Sequence, residues 1–280
     1  MEILTKYFTE SSIHLYPIGD IHIGDKCFGK ESRRKLHGYI NWIRATPNAY
    51  AVLTGDILNV ATKDSTTSPF AQDMDLEDQI NAAVGYFDPI KHKVLGAIDG
   101  NHEQRLSRYC GYSPTISICE RLNIPYLKSS AVIVFRLGCH NSLNQKNKLS
   151  NKSRASFVGY FHHTTGGGGT IGGKINRVAK LREIVADADF YCGSHNHALA
   201  VSPNDVRIVD RVFGKIETLR QMLVDCGGYL EWNNSYAEDK QMAPLKIGSP
   251  RINLFIKRKK FKNELGKYEE EVIKDIHVSI

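Results

Sequence analysis

Five short groups of this sequence carry the side chains best suited to chemistry: Asp20-Ile21-His22, Gly55-Asp56, Asp99-Gly100-Asn101-His102-Glu103, His162-His163 and His195-Asn196-His197. Each follows an apolar run, as polar atoms do when a buried strand delivers them at its carboxyl end. As candidate ligands they offer two carboxylates (Asp20 and Asp56), one amide oxygen (Asn101) and three or four imidazoles. A tetrahedral zinc site takes four donors at most, so the set is too large for one. It suits two cations sharing a bridging carboxylate, and mixed oxygen and nitrogen donors fit Mn²⁺, Fe or Zn²⁺. Two such cations about 3.5–4 Å apart activate water and stabilise the entering and leaving oxygens of phosphoryl transfer. His102, beside the amide, is of the type that moves protons near neutral pH.

The elements needed to position these groups are legible as periodicity. Residues 13–18 and 50–53 read as strands ending at Asp20 and Asp56, and 93–98 as a strand ending at the central group. Residues 131–137 and 156–161 are further strands, the second ending at His162-His163, and 190–192 leads to His195. Apolar residues at helical spacing predict helices over 32–45 and 75–87, the second capped by Asp75 with Asp78 three residues on. Residues 105–123 read as one or two helices broken at Gly111-Tyr112-Ser113-Pro114, and 174–185 as another. The glycines at 166–169, 172 and 173 match neither GxGxxG nor a P-loop, and are expected to let backbone pass close to the site. Residues 64–73 read as a surface loop. From about 207 the pattern turns to strands (207–212, 215–224 and 251–256, then an alternating tail), carrying the basic run Lys257–Lys262. In an open α/β sheet, ligands gather at the carboxyl ends of strands, so strands ending in ligands aim them at one place. An α/β (α+β) fold in a single domain over 1–280 is the expectation.

Composition narrows the class. With 41% apolar and 24% charged residues the chain resembles an ordinary soluble globular protein. It holds no apolar stretch long enough for a membrane helix, and its first residues show no signal-peptide pattern. No CxxC pair occurs among its six cysteines, which favours free thiols and a cytoplasmic location. The net charge of +7 permits an anionic partner such as DNA or RNA without requiring one. The stretch 136–156 holds five Lys or Arg and no acid; a flexible hairpin loop is its simpler reading, a nucleic-acid contact the other.

In order and spacing the five groups resemble the motifs of the calcineurin-like metallophosphoesterase superfamily: D-x-H, G-D, G-N-H-E/D, a strand-end His, and G-H-x-H. The last departs slightly, because Ser194 stands between Gly193 and His195. The resemblance implies a four-layer β-sandwich flanked by helices and two divalent metal ions, with Mn²⁺ the first expectation and Fe, Zn²⁺ or Ni²⁺ the alternatives. It places Asp20, His22, Asp56 and His197 around one metal. Asp56 bridges to a second, held by Asn101, His195 and either His162 or His163, the former preferred. His102 then protonates the leaving oxygen or holds the phosphate, Asp99 or Glu103 orients it, and Arg105 clamps the phosphate. The likeness is closest to small single-domain members, phage-encoded ones included, which share the glycine run after the His and a Tyr-Ala-Glu stretch (here Tyr236-Ala237-Glu238). A bacterial or phage-infected host cytosol follows as the expected setting.

The function expected is hydrolysis of phosphate esters by a metal-activated water, as a phosphodiesterase or nuclease. A phosphomonoesterase acting on phosphoprotein or nucleotide is the alternative. A binding module that kept the fold would have lost ligand positions, and here all are filled. A homo-oligomer, with Trp42 and Trp232 among the residues available for an interface, is open.

Overall fold

A computed structural model describes the chain except for residues 64, 66–69, 71, 139–154, 167, 212–213, 234, 240, 242 and 263–267. One sheet is ordered β11 (Tyr268–Ser279), β10 (Arg251–Lys262), β2 (Ser12–Ile18), β3 (Ala49–Leu53) and β4 (Val94–Ala97), with β2, β3 and β4 parallel. The other runs β1 (Glu2–Tyr7), β5 (Ser130–Leu137), β6 (Ala155–His163), β7 (Phe190–Ser194), β9 (Lys215–Cys226) and β8 (Leu199–Asp210), with β6, β7 and β9 parallel.

The sheets stack face to face. Ile13, Leu15 and Val52 of one pack with Ile133, Phe135, Phe157, Phe161, Phe190 and Val224 of the other in one apolar layer. Helices α1 (Lys30–Ala45), α2 (Leu76–Phe87) and α4 (Pro114–Leu122) cover the outer face of the first sheet through Leu36, Ile40, Ile43, Ile80, Ala83 and Ile118. Helix α5 (Ile171–Ala179) covers the second through Val178, against Tyr160 and Tyr191. The result is the four-layer sandwich that the resemblance implies.

Local chemistry accounts for the element ends. The Asp75 carboxylate accepts the Asp78 N–H at 2.9 Å and starts α2 at Leu76. The break in 105–123 is real: α3 (Asn101–Cys110) stops at Gly111 in a left-handed conformation, and Pro114 opens α4 behind a Ser113 cap. Helix α5 begins earlier than the apolar spacing indicates, at Ile171, because Thr170 caps it and takes the Gly173 N–H. Gly168 has backbone of that first turn where a Cβ would sit, 2.7 Å from the Gly173 carbonyl carbon, so this glycine serves α5. Gly167 lies outside the described residues.

Two departures concern strands. The alternating segment Glu2–Tyr7 adds a parallel edge strand beside β5 that is absent from the expected set. The late strands are longer than their sequence pattern indicates: β8 reaches back to Leu199 and tolerates Pro203 because it is an edge paired only with β9. In the β10–β11 hairpin, Lys259, Lys260 and Phe261 stand in register with Glu271, Glu270 and Glu269. The basic run therefore stands in backbone register with an acidic run. The acid-free stretch lies for its greater part, at 139–154, outside the described residues. No described helix is long and apolar enough to cross a membrane. Trp42 packs against Tyr16 at 5.5 Å between ring centroids, so it serves the core.

Candidate metal centre

The carboxyl ends of β2, β3 and β4 meet those of β6 and β7 along one rim of the sandwich. Short bonds join the sheets there: Ser194 Oγ donates to Thr54 Oγ1 at 2.7 Å, and the Asp20 carboxylate accepts the His195 N–H at 2.8 Å. Three groups of ligand-type atoms converge on this rim, each with its atoms within 4.8 Å of one another: Asp20, His22 and His197 in one, Asp56, His163 and His195 in a second, and His22, Asp56 and His102 in a third that overlaps both. Asn101 joins the second, its Oδ1 lying 3.0 Å from His163 Nε2 and 2.7 Å from His195 Nδ1. Asp56 stands between the groups, its Oδ2 3.2 Å from His163 Nε2 and 4.0 Å from His22 Nε2.

The structure brings His163, and not the preferred His162, to the centre. Strand alternation decides this. Phe161 and His163 lie on the face of β6 turned to the other sheet, while Tyr160 and His162 lie on the face turned outwards, with 6.2 Å between their rings. Replacing His163 with Ala should therefore weaken binding of a divalent cation about ten- to a hundredfold, and His162→Ala should leave it within about twofold. Calorimetric titration of the two variants with Mn²⁺ checks this; equal losses would reject the assignment of faces.

The backbone under the ligand-type residues is unusual. Asp20, His22, Asp56, His195 and His197 all have positive φ, between 48° and 83°. Such conformations cost about 1–3 kcal/mol each and persist where the surroundings over-determine them. Gly100 is required for a different reason: a Cβ there would lie 2.1 Å from the Asp56 backbone nitrogen and Oδ1. That close approach lets the N-terminus of α3 point at Asp56, whose Oδ1 accepts the His102 N–H at 2.8 Å.

The donor set fits cations. His22 Nε2 and His197 Nε2 face each other at 3.2 Å, close enough for both to reach one cation. Burial holds His22, His195 and His197 below the usual imidazole range, His197 down to about 3, which keeps them in the neutral form that ligates metal. Burial also opposes charge on Asp56, but the imidazoles of His163 and His102 outweigh it and hold its carboxyl well below the carboxylate range. In return, and against burial, Asp56 pushes His163 up to about 10.

Around this cluster lie the other residues singled out from the sequence. His102 Nδ1 is 2.5 Å from the Asn59 carbonyl, so it donates there and turns Nε2 towards Asp56, at 3.8 Å. Neither carboxylate expected to orient His102 does so. Asp99 accepts from Tyr126 Oη at 2.5 Å. Glu103, buried, accepts the backbone N–H groups of Asp56, Gly100 and Leu58 at 2.9–3.0 Å, and burial lifts its carboxyl to about 7. Arg105 is half-buried, donates to Ser65 Oγ at 2.9 Å, and is close enough to Asp56 to feel its charge. A supporting network that no sequence feature singles out stands behind the His195–His197 turn. Lys174 Nζ donates to the Asn196 carbonyl at 2.7 Å, and Asn196 Nδ2 donates to Asp225 Oδ2 at 3.0 Å.

No family model matches the chain, and no curated protein matches it. Among solved structures it is similar to Vps29 of Chaetomium thermophilum, at 10% identity over 96% of this chain and 98% of that one, with a TM-score of 0.36. A predicted phosphoesterase of Streptococcus pneumoniae gives 10%, 96%, 98% and 0.34, and the Chaetomium Vps29 in complex with a cyclic peptide 11%, 95%, 96% and 0.33. Superpositions this loose carry nothing about activity. In the order of its motifs, its two stacked sheets and the Asp and His side chains gathered at their shared rim, the chain resembles the calcineurin-like metallophosphoesterases.

Proposed function

We propose that the chain is a phosphoesterase dependent on two divalent cations and acts on phosphodiesters, the nucleic-acid backbone among them. The observation that carries this reading is the position of Asp56 between two convergent ligand groups, with His102 and Arg105 alongside. In it, Asp20, His22, Asp56 and His197 hold one cation, and Asp56, Asn101, His163 and His195 the other, Mn²⁺ being the first candidate for both. Bound there, such cations supply Lewis acidity to phosphate oxygens and lower the pKa of water.

The chain's own residues do the rest. Arg105 orients the phosphate through its planar fork of donors, held in place by Ser65. A single guanidinium suits the single negative charge of a diester. His102, fixed through Nδ1 by the Asn59 carbonyl, presents Nε2 to the leaving oxygen; it would give that oxygen a proton only from the doubly protonated ring, which burial disfavours and the Asp56 charge favours. Asp20 fixes the His195 backbone, and the Lys174–Asn196–Asp225 network steadies the turn carrying both His195 and His197. Asp99 has no part in this scheme.

The test is hydrolysis of bis(p-nitrophenyl) phosphate beside p-nitrophenyl phosphate, by full-length protein stripped with chelator and then given Mn²⁺, Ni²⁺, Zn²⁺ or Mg²⁺. Diester turnover restored at least tenfold over the stripped protein is expected. Turnover of the monoester alone would replace this reading with a phosphomonoesterase. Two bound cations and no turnover of either would replace it with a binding module.

A further inference from the structure

A second concentration of charge lies away from the metal centre, on the outer side of the first sheet. A cavity of about 200 Å³ opens between α1, β2, the segment before β10 and the last rung of the β10–β11 hairpin. Lys35, Lys246 and Arg251 line it together with Tyr16, Tyr39 and Ser249, and no Asp or Glu side chain does. Among the described residues no Asp or Glu side chain forms an ion pair with Lys35, Lys246 or Arg251, and Ser279 and Ile280 complete the cavity's edge. Elsewhere exposed cations on these helices do pair, as Arg121 with Glu77 and Arg33 with Asp73. Three like charges around one small space repel one another, and an anion between them relieves that repulsion.

The walls hold the cations in place. Arg251 lies over the Trp42 ring, 5.4 Å from its centroid, and within reach of the Tyr16 hydroxyl. Lys35 lies over Tyr39 at 5.6 Å. The Tyr39 hydroxyl stands at the same wall, 2.5 Å from where a Cβ of Gly248 would lie. The lining is therefore pre-set for an acceptor-rich ligand: a planar guanidinium that can engage two oxygens at once, two ammonium groups and a phenol. The volume is below the roughly 300–1,000 Å³ of pockets for drug-sized ligands and suits a small oxyanion or a terminal group.

We propose that this cavity is a second anion site, separate from the metal centre, which binds a phosphate-type oxyanion, either free phosphate or the phosphoryl group of a larger molecule. One backbone rung links its wall to the centre. Gly248, whose position abuts the Tyr39 hydroxyl, pairs with Gly228, and Gly228 in turn abuts His197. An anion held by Lys35, Lys246 and Arg251 thus sits on the far side of the rung that backs a ligand-type histidine.

The test is calorimetric titration of the full-length chain with inorganic phosphate and, separately, with a nucleoside 5′-monophosphate. It is run in chelator, so that no metal contributes, and at ionic strength fixed with chloride. Saturable binding at one site per chain is expected. It should weaken at least tenfold in Arg251→Gln and in the double variant Lys35→Gln/Lys246→Gln, and stay within twofold in His195→Ala. Because Arg251→Gln also removes the contact with Trp42, the double lysine variant, which leaves that contact intact, decides the matter if the arginine variant fails to fold. Tighter binding of free phosphate, or of the monophosphate, identifies the source of the anion. No saturable binding of either, binding unchanged in the lysine variant, or binding lost in His195→Ala would each overturn the proposal.

Discussion

Replacing Asp56 with Asn should leave a folded chain whose metal-dependent hydrolysis is lower by about 10³-fold or more. The substitution keeps shape and one acceptor: an amide oxygen at the position of Oδ1 still takes the His102 N–H. What disappears is the charge, and the second oxygen that lies within 4.0 Å of His22, His102 and His163 alike. Asp56 is the one ligand-type residue common to both halves of the proposed centre, so a change there reaches both cations. Metal analysis of the purified variant should find clearly less than the content of the parent chain. Diester turnover should not be recovered by raising Mn²⁺. If the Asp56→Asn protein kept its cations and its turnover, the assignment of Asp56 as the shared ligand would be wrong. Thermal unfolding of the metal-free forms supplies the control: the amide fits the same space, but the variant loses the charge that faces His163 and is expected to melt lower, so turnover is compared at a temperature where both forms are folded.

The residues that gather at the rim were legible in the sequence because each follows directly on a strand, and strand ends are visible as the place where an apolar run stops. What the sequence left open was direction. In 156–163 apolar side chains occupy both faces, since the other sheet covers Phe161 and helix α5 covers Tyr160. Where both faces of a strand are buried, alternation carries no sign of which is which. His162 and His163 are therefore equivalent until the packing is known. The helix at 75–87 was readable for the opposite reason: its cap is made by a residue three positions away. His102 marks the limit of local reasoning. Adjacent carboxylates are the natural candidates to orient it, yet its partner is a backbone carbonyl at Asn59. Every residue has such a group, so no residue type signals it. The strand Glu2–Tyr7 escapes sequence reading because it is an edge paired only with β5, and no site residue follows it to draw attention.

Glu103 shows how much a side chain read as a minor partner can carry. Its two carboxylate oxygens receive three backbone N–H groups: Asp56 and Gly100 on Oε2, at 3.0 Å each, and Leu58 on Oε1, at 2.9 Å. One buried carboxylate thus ties the loop after β3 to the turn after β4, the two segments that place Asp56, Asn101 and His102. In Glu103→Ala all three donors lose their acceptor in a site closed to solvent. Each such loss costs about 1–3 kcal/mol, so a destabilisation of about 3–9 kcal/mol is expected. Glu103→Gln retains an oxygen for two of the donors and turns an NH₂ towards the Leu58 N–H, which limits the cost to about 1–3 kcal/mol. Urea denaturation of the metal-free chains measures both differences, and titration with Mn²⁺ should show weaker binding in the order parent, Gln, Ala. An Ala variant within about 1 kcal/mol of the parent would mean that water reaches the three N–H groups. In that case the carboxylate would not be what holds Asp56 against the start of α3.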